Sequence, residues 1–256
     1  MLINSTEPSN WRALQSDVAK ILTECGFNAE TEKNIATARG EVQIDVFAED
    51  SSQAPPARYL CECKHWNSNI PREKVHAFRT VVHDYGANWG LMVSKLGFQS
   101  GAYAAAENTN LRLLNWQEFQ ELFHERWYRE YMVKKLPPET ESLVDYTEPI
   151  NTRVFRKAGA LPPESQERFS SLREKYGALA FFALRFYMPR SPYGDSPPEL
   201  PLRENLPELL TYGAADIRVL PENILDANTL RDLLDSIIEH LRIGTEEFDE
   251  VFGERA

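Results

Sequence analysis

Apolar residues near the start of the chain fall at helical spacing. Trp11, Leu14, Val18, Ile21, Leu22 and Cys25 share one face and Gly26 supplies a stop, which predicts a helix over Ser9–Cys25. Phe27 to Lys33 follows as a first strand. The period then drops to two: Val42, Ile44 and Val46 alternate with Gln43, Asp45 and Phe47. After a polar, proline-containing loop, Tyr59, Cys61 and Cys63 alternate with Leu60, Glu62 and Lys64, a further strand. Asn69 and Pro71 open a helix whose apolar stripe is Val75, Phe78, Val82 and Tyr85. Trp89 to Ser94 reads as a buried strand, Phe98 to Asn108 as an alanine-rich helix and Leu111 to Leu114 as a strand. Asn115 with Glu118 starts a helix carrying Trp116, Phe119, Leu122, Phe123 and Trp127 toward a core.

The second half is less regular. Lys134 to Glu139, with Pro137 and Pro138, reads as the start of a linker over residues 137–163. Ser165 to Tyr176 is helical in pattern, and Gly177 to Met188 fits either a buried helix or a strand. Pro189 to Pro207 is proline-rich and predicts loop. Leu230, Leu233, Leu234, Ile237, Ile238 and Leu241 make an amphipathic helix stopped by Gly244, with Phe248, Val251 and Phe252 as one more turn packed on it.

Charge separates the halves. The net charge of −11 divides into 15 Lys+Arg against 17 Asp+Glu over residues 1–136, and 13 against 22 over residues 137–256. An acidic second half disfavours phosphate contact there, since phosphate neutralisation supplies most non-specific nucleic-acid affinity. Lys64 to Lys95 is the most basic run, with five Lys+Arg against two acids. Arg72, His76, Arg79 and His83 form a stripe there that reads either as a phosphate-facing surface or as a solvated helix face. No stretch reaches the ~20 apolar residues that span a membrane, and the N-terminus lacks the basic and apolar blocks of a signal peptide. Three cysteines, of which Cys61 and Cys63 alternate onto one strand face, read as small buried hydrophobes and fit a reducing cytoplasm rather than a zinc site.

The candidate chemistry lies on the two strands. At roughly 3.3 Å of rise per residue, Glu62 and Lys64 project side by side about 6.6 Å apart. If the strands pair, Asp45 joins them. Two carboxylates and a lysine on one sheet face make a site for a divalent ion and the water it activates. Magnesium, or manganese, suits carboxylate oxygens and keeps several waters for substrate to displace. The same triplet also reads as a surface Glu–Lys pair with an unrelated aspartate.

Asp45 followed by Glu62-Cys63-Lys64 resembles the signature of the PD-(D/E)xK nucleases. Its surroundings resemble the Mrr-like type IV restriction endonuclease branch, through Cys25-Gly26-Phe27, Ile44-Asp45, Gly90-Leu-Met-Val-Ser94, Phe98 to Ala106 and Leu111 to Leu114. The resemblance covers about residues 9–125 and departs at two places. No proline precedes Asp45, and Gln15 stands where the opening helix usually carries a glutamate.

The resemblance implies an α/β fold with a restriction-endonuclease-like αβββαβ core around a mixed sheet, over residues 1–136. A smaller helix-rich acidic domain, residues 164–256, would follow. It implies metal-dependent endonuclease activity on DNA, in defence against foreign DNA. Asp45, Glu62, Lys64 and Gln15 take the catalytic positions, and Asp45, Glu62 and the Cys63 carbonyl hold the metal. Arg72, His76, Arg79, His65 and Ser94 would face nucleic acid. No nucleotide cofactor is expected, because no Gly-rich phosphate loop is present. The competing expectation is a nuclease-like module that binds nucleic acid or protein without cleaving. The C-terminal domain is expected to serve protein contact, self-association or regulation, and a third reading makes the protein a regulatory subunit whose acidic second half does the work.

Overall fold

The structure, a computed structural model, describes residues 1–188, 191, 193–194, 196–205 and 217–253. The chain forms two units: Leu2 with Thr6–Glu130, and Met1, Ile3–Ser5 with Tyr131–Ala256.

The first of these is α/β. Asn10 caps helix α1 (Trp11–Glu24) by accepting from the Ala13 N–H at 3.0 Å. Strands β1 (Asn28–Thr37), β2 (Gly40–Asp50), β3 (Ala57–Lys64), β4 (Trp89–Ser94) and β5 (Leu111–Asn115) form one sheet in sequence order. The first three are antiparallel, and β3, β4 and β5 are parallel. The parallel steps are made by helices α2 (Arg72–Tyr85) and α3 (Ser100–Ala106). Helix α4 (Trp116–Trp127) follows β5 through a complete capping box between Asn115 and Glu118. Helices α1 and α4 pack together, as do α2 and α3.

Beneath α2 the core gathers Ile44, Phe47, Leu60, Val75, Phe78 and Met92. Gly90 lets α2 ride close to the sheet: a Cβ there would lie 2.4 Å from Leu111 Cδ2 and 2.6 Å from Val82 Cγ2. Two members of the predicted apolar stripes, Trp11 and Leu122, are exposed.

Two features position the site. Pairing between β2 and β3 runs from Asp50↔Ala57 to Val46↔Cys61 and stops there. Before Val46, β2 pairs on with β1, and after Cys61, β3 pairs on with β4. The strands therefore fork, with Asp45 on one prong and Glu62, Cys63 and Lys64 on the other. The strict alternation expected of β2 breaks at the same place, since Ile44 and Phe47 both pack beneath α2. At the far end of β2, Asp50 is buried in a bidentate ion pair with Arg126 of α4, at 2.5 and 2.9 Å. Arg126 also donates to the Cys25 carbonyl at 2.8 Å and lies 4.0 Å from the Phe27 ring centroid. This knot joins α1, β2 and α4.

The second unit is helical. A π-helical turn, Tyr128–Met132, leads into α5 (Val133–Thr147), followed by α6 (Thr152–Gly159) and α7 (Pro163–Leu184). The linker expected over residues 137–163 is thus mostly helix. Leu136, Thr140 and Leu143 are buried at helical spacing, and Pro137 and Pro138 sit in α5 shortly after the π-turn. Gly177 to Leu184 resolves as the buried end of α7. In the proline-rich run, residues 189, 190, 192, 195, 206 and 207 lie outside the described residues, and Leu202–Asn205 forms a 3₁₀ turn.

Beyond a short helix α8 (Glu222–Leu225), α9 runs unbroken over Leu230–Phe252. Gly244 does not stop it. A Cβ there would meet Leu143 Cδ1 and Tyr176 Cδ1, each at 3.0 Å, so glycine is the residue that lets α9 press against α5 and α7. Tyr146 stacks on Phe248 and Phe252, with centroids 4.8 and 5.6 Å away. Ile3 and Asn4 are tied to the start of α9: the Arg231 N–H donates to the Ile3 carbonyl at 3.0 Å, and Arg231 Nε to Asn4 Oδ1 at 2.6 Å.

Candidate active site

The prongs of the fork are bridged by hydrogen bonds to one carboxylate. Asp45 Oδ2 accepts from the Cys63 backbone N–H at 2.7 Å, and Asp45 Oδ1 accepts from Gln15 Nε2 at 3.1 Å. Gln15 is buried on α1, so the helix and both strands fix the orientation of Asp45. Each Asp45 oxygen keeps a further lone-pair direction for another partner.

Glu62 and Lys64 form an ion pair along β3, through Oε1 and Nζ. Burial raises the Glu62 carboxyl above the usual glutamate range. The charge and hydrogen bond of Lys64 pull it back, Asp45 pushes it up, and Lys74 lowers it. The two carboxylates thus feel one another across the fork.

Glu62 and Lys64 open onto a cleft of about 270 Å³ lined also by Gln43, Ile44, Trp66, Lys74 and Phe78. The sequence pattern alone does not mark Lys74 and Trp66. Lys74 shares a helical face with Phe78 and Val81, four and three residues apart in turn, beside the more conspicuous stripe from Arg72 to His83.

That stripe does not reach the cleft. Arg72 Nε donates to His76 Nε2 at 2.9 Å, and Arg79 Nη1 donates to the Ala105 carbonyl on α3 at 3.4 Å. Ser94 is fully buried: its hydroxyl donates to the Gly97 carbonyl and accepts the Gly97 N–H, both at 3.0 Å, so it closes a turn instead of lining a groove. His65 Nε2 lies 3.0 Å from the Pro8 carbonyl. It lines a separate cavity of about 260 Å³ with Glu7, Leu14, Lys95 and Trp116.

A metal at the fork would find two carboxylates and the Cys63 carbonyl. Among the described residues there is no group of three or more His, Cys, Asp and Glu side chains able to hold an ion. Burial raises the Cys61 and Cys63 thiols above their ordinary range, which disfavours the thiolate form a metal binds. The donor set fits a hard cation that brings most of its coordination as water, and does not fit tetrahedral zinc.

Residues 7–123 match the Mrr_cat family, described as "Restriction endonuclease". The N-terminal half is Mrr-like. The matched span begins before α1 and ends within α4, so it contains the whole sheet and the fork. One solved structure, titled "Crystal Structure of Protein of Unknown Function AF1548", aligns with 95% of this chain and 99% of its own at 17% identity and a TM-score of 0.37. No curated protein matches the chain. Among the described residues no helix is long and apolar enough to cross a membrane.

Proposed function

We propose that the Mrr-like half is a divalent-metal-dependent endonuclease that hydrolyses phosphodiester bonds in DNA, acting against foreign DNA in a reducing cytoplasm. The observation that carries the reading is the bridge from Cys63 N–H to Asp45 Oδ2, which holds one carboxylate against the strand that bears Glu62 and Lys64. Asp45 and Glu62, with the Cys63 carbonyl, would hold magnesium or manganese. Such an ion, when bound, would supply a water of lowered pKa and offset charge on the phosphate. Gln15 fixes the rotamer of Asp45 through its amide. Lys64 anchors Glu62 and offers a cation beside the reacting phosphate, where a preorganised charge lowers the barrier most.

Incubation of supercoiled plasmid with the protein in magnesium, manganese or EDTA tests this. Nicked and linear products are expected with either metal and none in EDTA. Intact plasmid under all three conditions sinks the proposal.

A second reading is a nuclease-like module that binds nucleic acid without cleaving. The neutral amide of Gln15 facing Asp45 favours it, because the site then has two carboxylate side chains where the family pattern brings a third. Metal-independent binding of DNA together with intact plasmid would select this reading.

A further inference from the structure

The cleft beside Glu62 and Lys64 has a mixed lining. Val42, Ile44, Phe78, Val81 and Met92 make part of it apolar, and Glu62, Lys64, Lys74 and Trp66 supply charge and an aromatic ring. Trp66 stands two residues past Lys64 and keeps 39% of its surface exposed. Lys74 Nζ lies 6.0 Å from the Trp66 ring centroid. A sugar–phosphate chain alone is matched by polar walls. Apolar lining and an exposed indole next to the Lys74 ammonium are matched by a flat π-system carrying a phosphate. The cleft is continuous with the Glu62–Lys64 ion pair, and beyond that pair Lys74 is the lining cation that complements a nucleic-acid strand.

We infer that this cleft is a nucleobase subsite, in which Trp66 stacks on an unpaired base flanking the scissile phosphate and Lys74 contacts an adjacent phosphate. The inference rests on the nuclease reading and adds the substrate class: a strand that is single or locally melted beside the cut. A base inside a duplex is stacked on both faces and reaches an indole only after leaving the helix. Trp66 and Lys74 would then select for unpaired nucleotides, and the fork would act on whichever phosphate they place.

The test is binding of one labelled oligonucleotide, as a single strand and as a duplex, to the full chain in EDTA over a series of salt concentrations. Trp66→Ala is expected to weaken single-strand binding about tenfold, the scale of one lost base–aromatic stack, and to leave duplex binding within about twofold. Trp66→Phe restores most of the loss. Lys74→Met lowers the salt slope by about 0.7 on the single strand, the contribution of one phosphate contact. Equal weakening of both forms by Trp66→Ala, or no weakening, overturns the subsite. If Trp66→Ala does not fold, an unchanged salt slope in Lys74→Met overturns it. Wild-type protein that binds neither form overturns the nuclease reading as well, whereas sound duplex binding with an indifferent Trp66 removes the subsite alone.

Discussion

The backbone N–H of Cys63 donates to Asp45 Oδ2 at 2.7 Å, across the point where the strands carrying them cease to pair. One side-chain oxygen thus takes up a backbone donor that the missing ladder leaves over. The fork and the carboxylate orientation are the same feature.

Asp45→Asn separates the charge of that carboxylate from its place in the fork. An asparagine oxygen can still accept from Cys63, so unfolding should shift by no more than about 1–2 kcal/mol. Metal-dependent nicking should fall by at least about 10²–10³-fold. Combining it with Glu62→Gln should cost little more than either alone, because the groups act as a unit. Nicking by Asp45→Asn at the wild-type rate would remove Asp45 from the chemistry.

Gln15→Glu places a second carboxylate where an amide now lies 3.1 Å from Asp45. Like charges that close destabilise the free protein, and a divalent cation between them reverses the sign. The variant should melt lower than wild type in EDTA and gain more from added magnesium. Calorimetry in the two buffers measures both. A variant with unchanged melting in EDTA and no added response to magnesium would place the metal away from Asp45.

The pH dependence of metal binding follows from Glu62. Its carboxyl is raised by burial and pulled back by Lys64, so Lys64→Met leaves burial and Asp45 to push it higher. Binding requires the ionised form. The acid limb of manganese binding should therefore lie above about pH 4.3, the ordinary glutamate value, and move to higher pH in Lys64→Met. Titration of manganese by its paramagnetic resonance signal reads this without relying on cleavage. Movement to lower pH would contradict the assignment.

The Asp50–Arg126 pair predicts acid sensitivity of the fold. Hydrogen bonds from Arg126, and then from Ser52, hold the Asp50 carboxyl well below the usual range. A depressed folded-state value contributes stability that is fully present above the unfolded value of about 3.9 and is lost as pH falls below it. Asp50→Asn should cost about 3–5 kcal/mol at neutral pH, because it strands a half-buried guanidinium. The difference from wild type should shrink as the pH falls below about 3.9. Denaturant midpoints at neutral and acid pH compare the two, and a constant difference would exclude the linkage.

Much of this was legible in the residues. Strand periodicity over Val42–Phe47 and Tyr59–Lys64 located both prongs of the fork, and Asn115 with Glu118 announced the start of α4. What the pattern does not carry depends on distant partners. Ser94 closes a strand in the pattern expected, but its hydroxyl is consumed by Gly97. The Arg72–His83 stripe is regular on α2, yet α3 lies beside it, a neighbour that periodicity does not reveal. Gly244 and the Pro137-Pro138 pair look like breaks. Helix contact overrides both: Gly244 is where α9 meets Leu143 and Tyr176, and the prolines follow a π-turn within buried α5.

The tie between Ile3–Asn4 and Arg231 sets an order on the making of the molecule. Every hydrogen bond of the sheet lies within residues 28–115, so the Mrr-like unit has all its strands as soon as they leave the ribosome. Ile3 and Asn4 must wait until more than two hundred further residues have been synthesised. At roughly 5–20 residues per second that interval is on the order of ten seconds or longer. Throughout it the Ile3 carbonyl and the Asn4 amide oxygen lack the Arg231 donors they finally accept from. Residues 3 and 4 are therefore fixed later than the sheet that follows them, and a ribosome stalled before Arg231 would display a formed sheet with this tie still unmade.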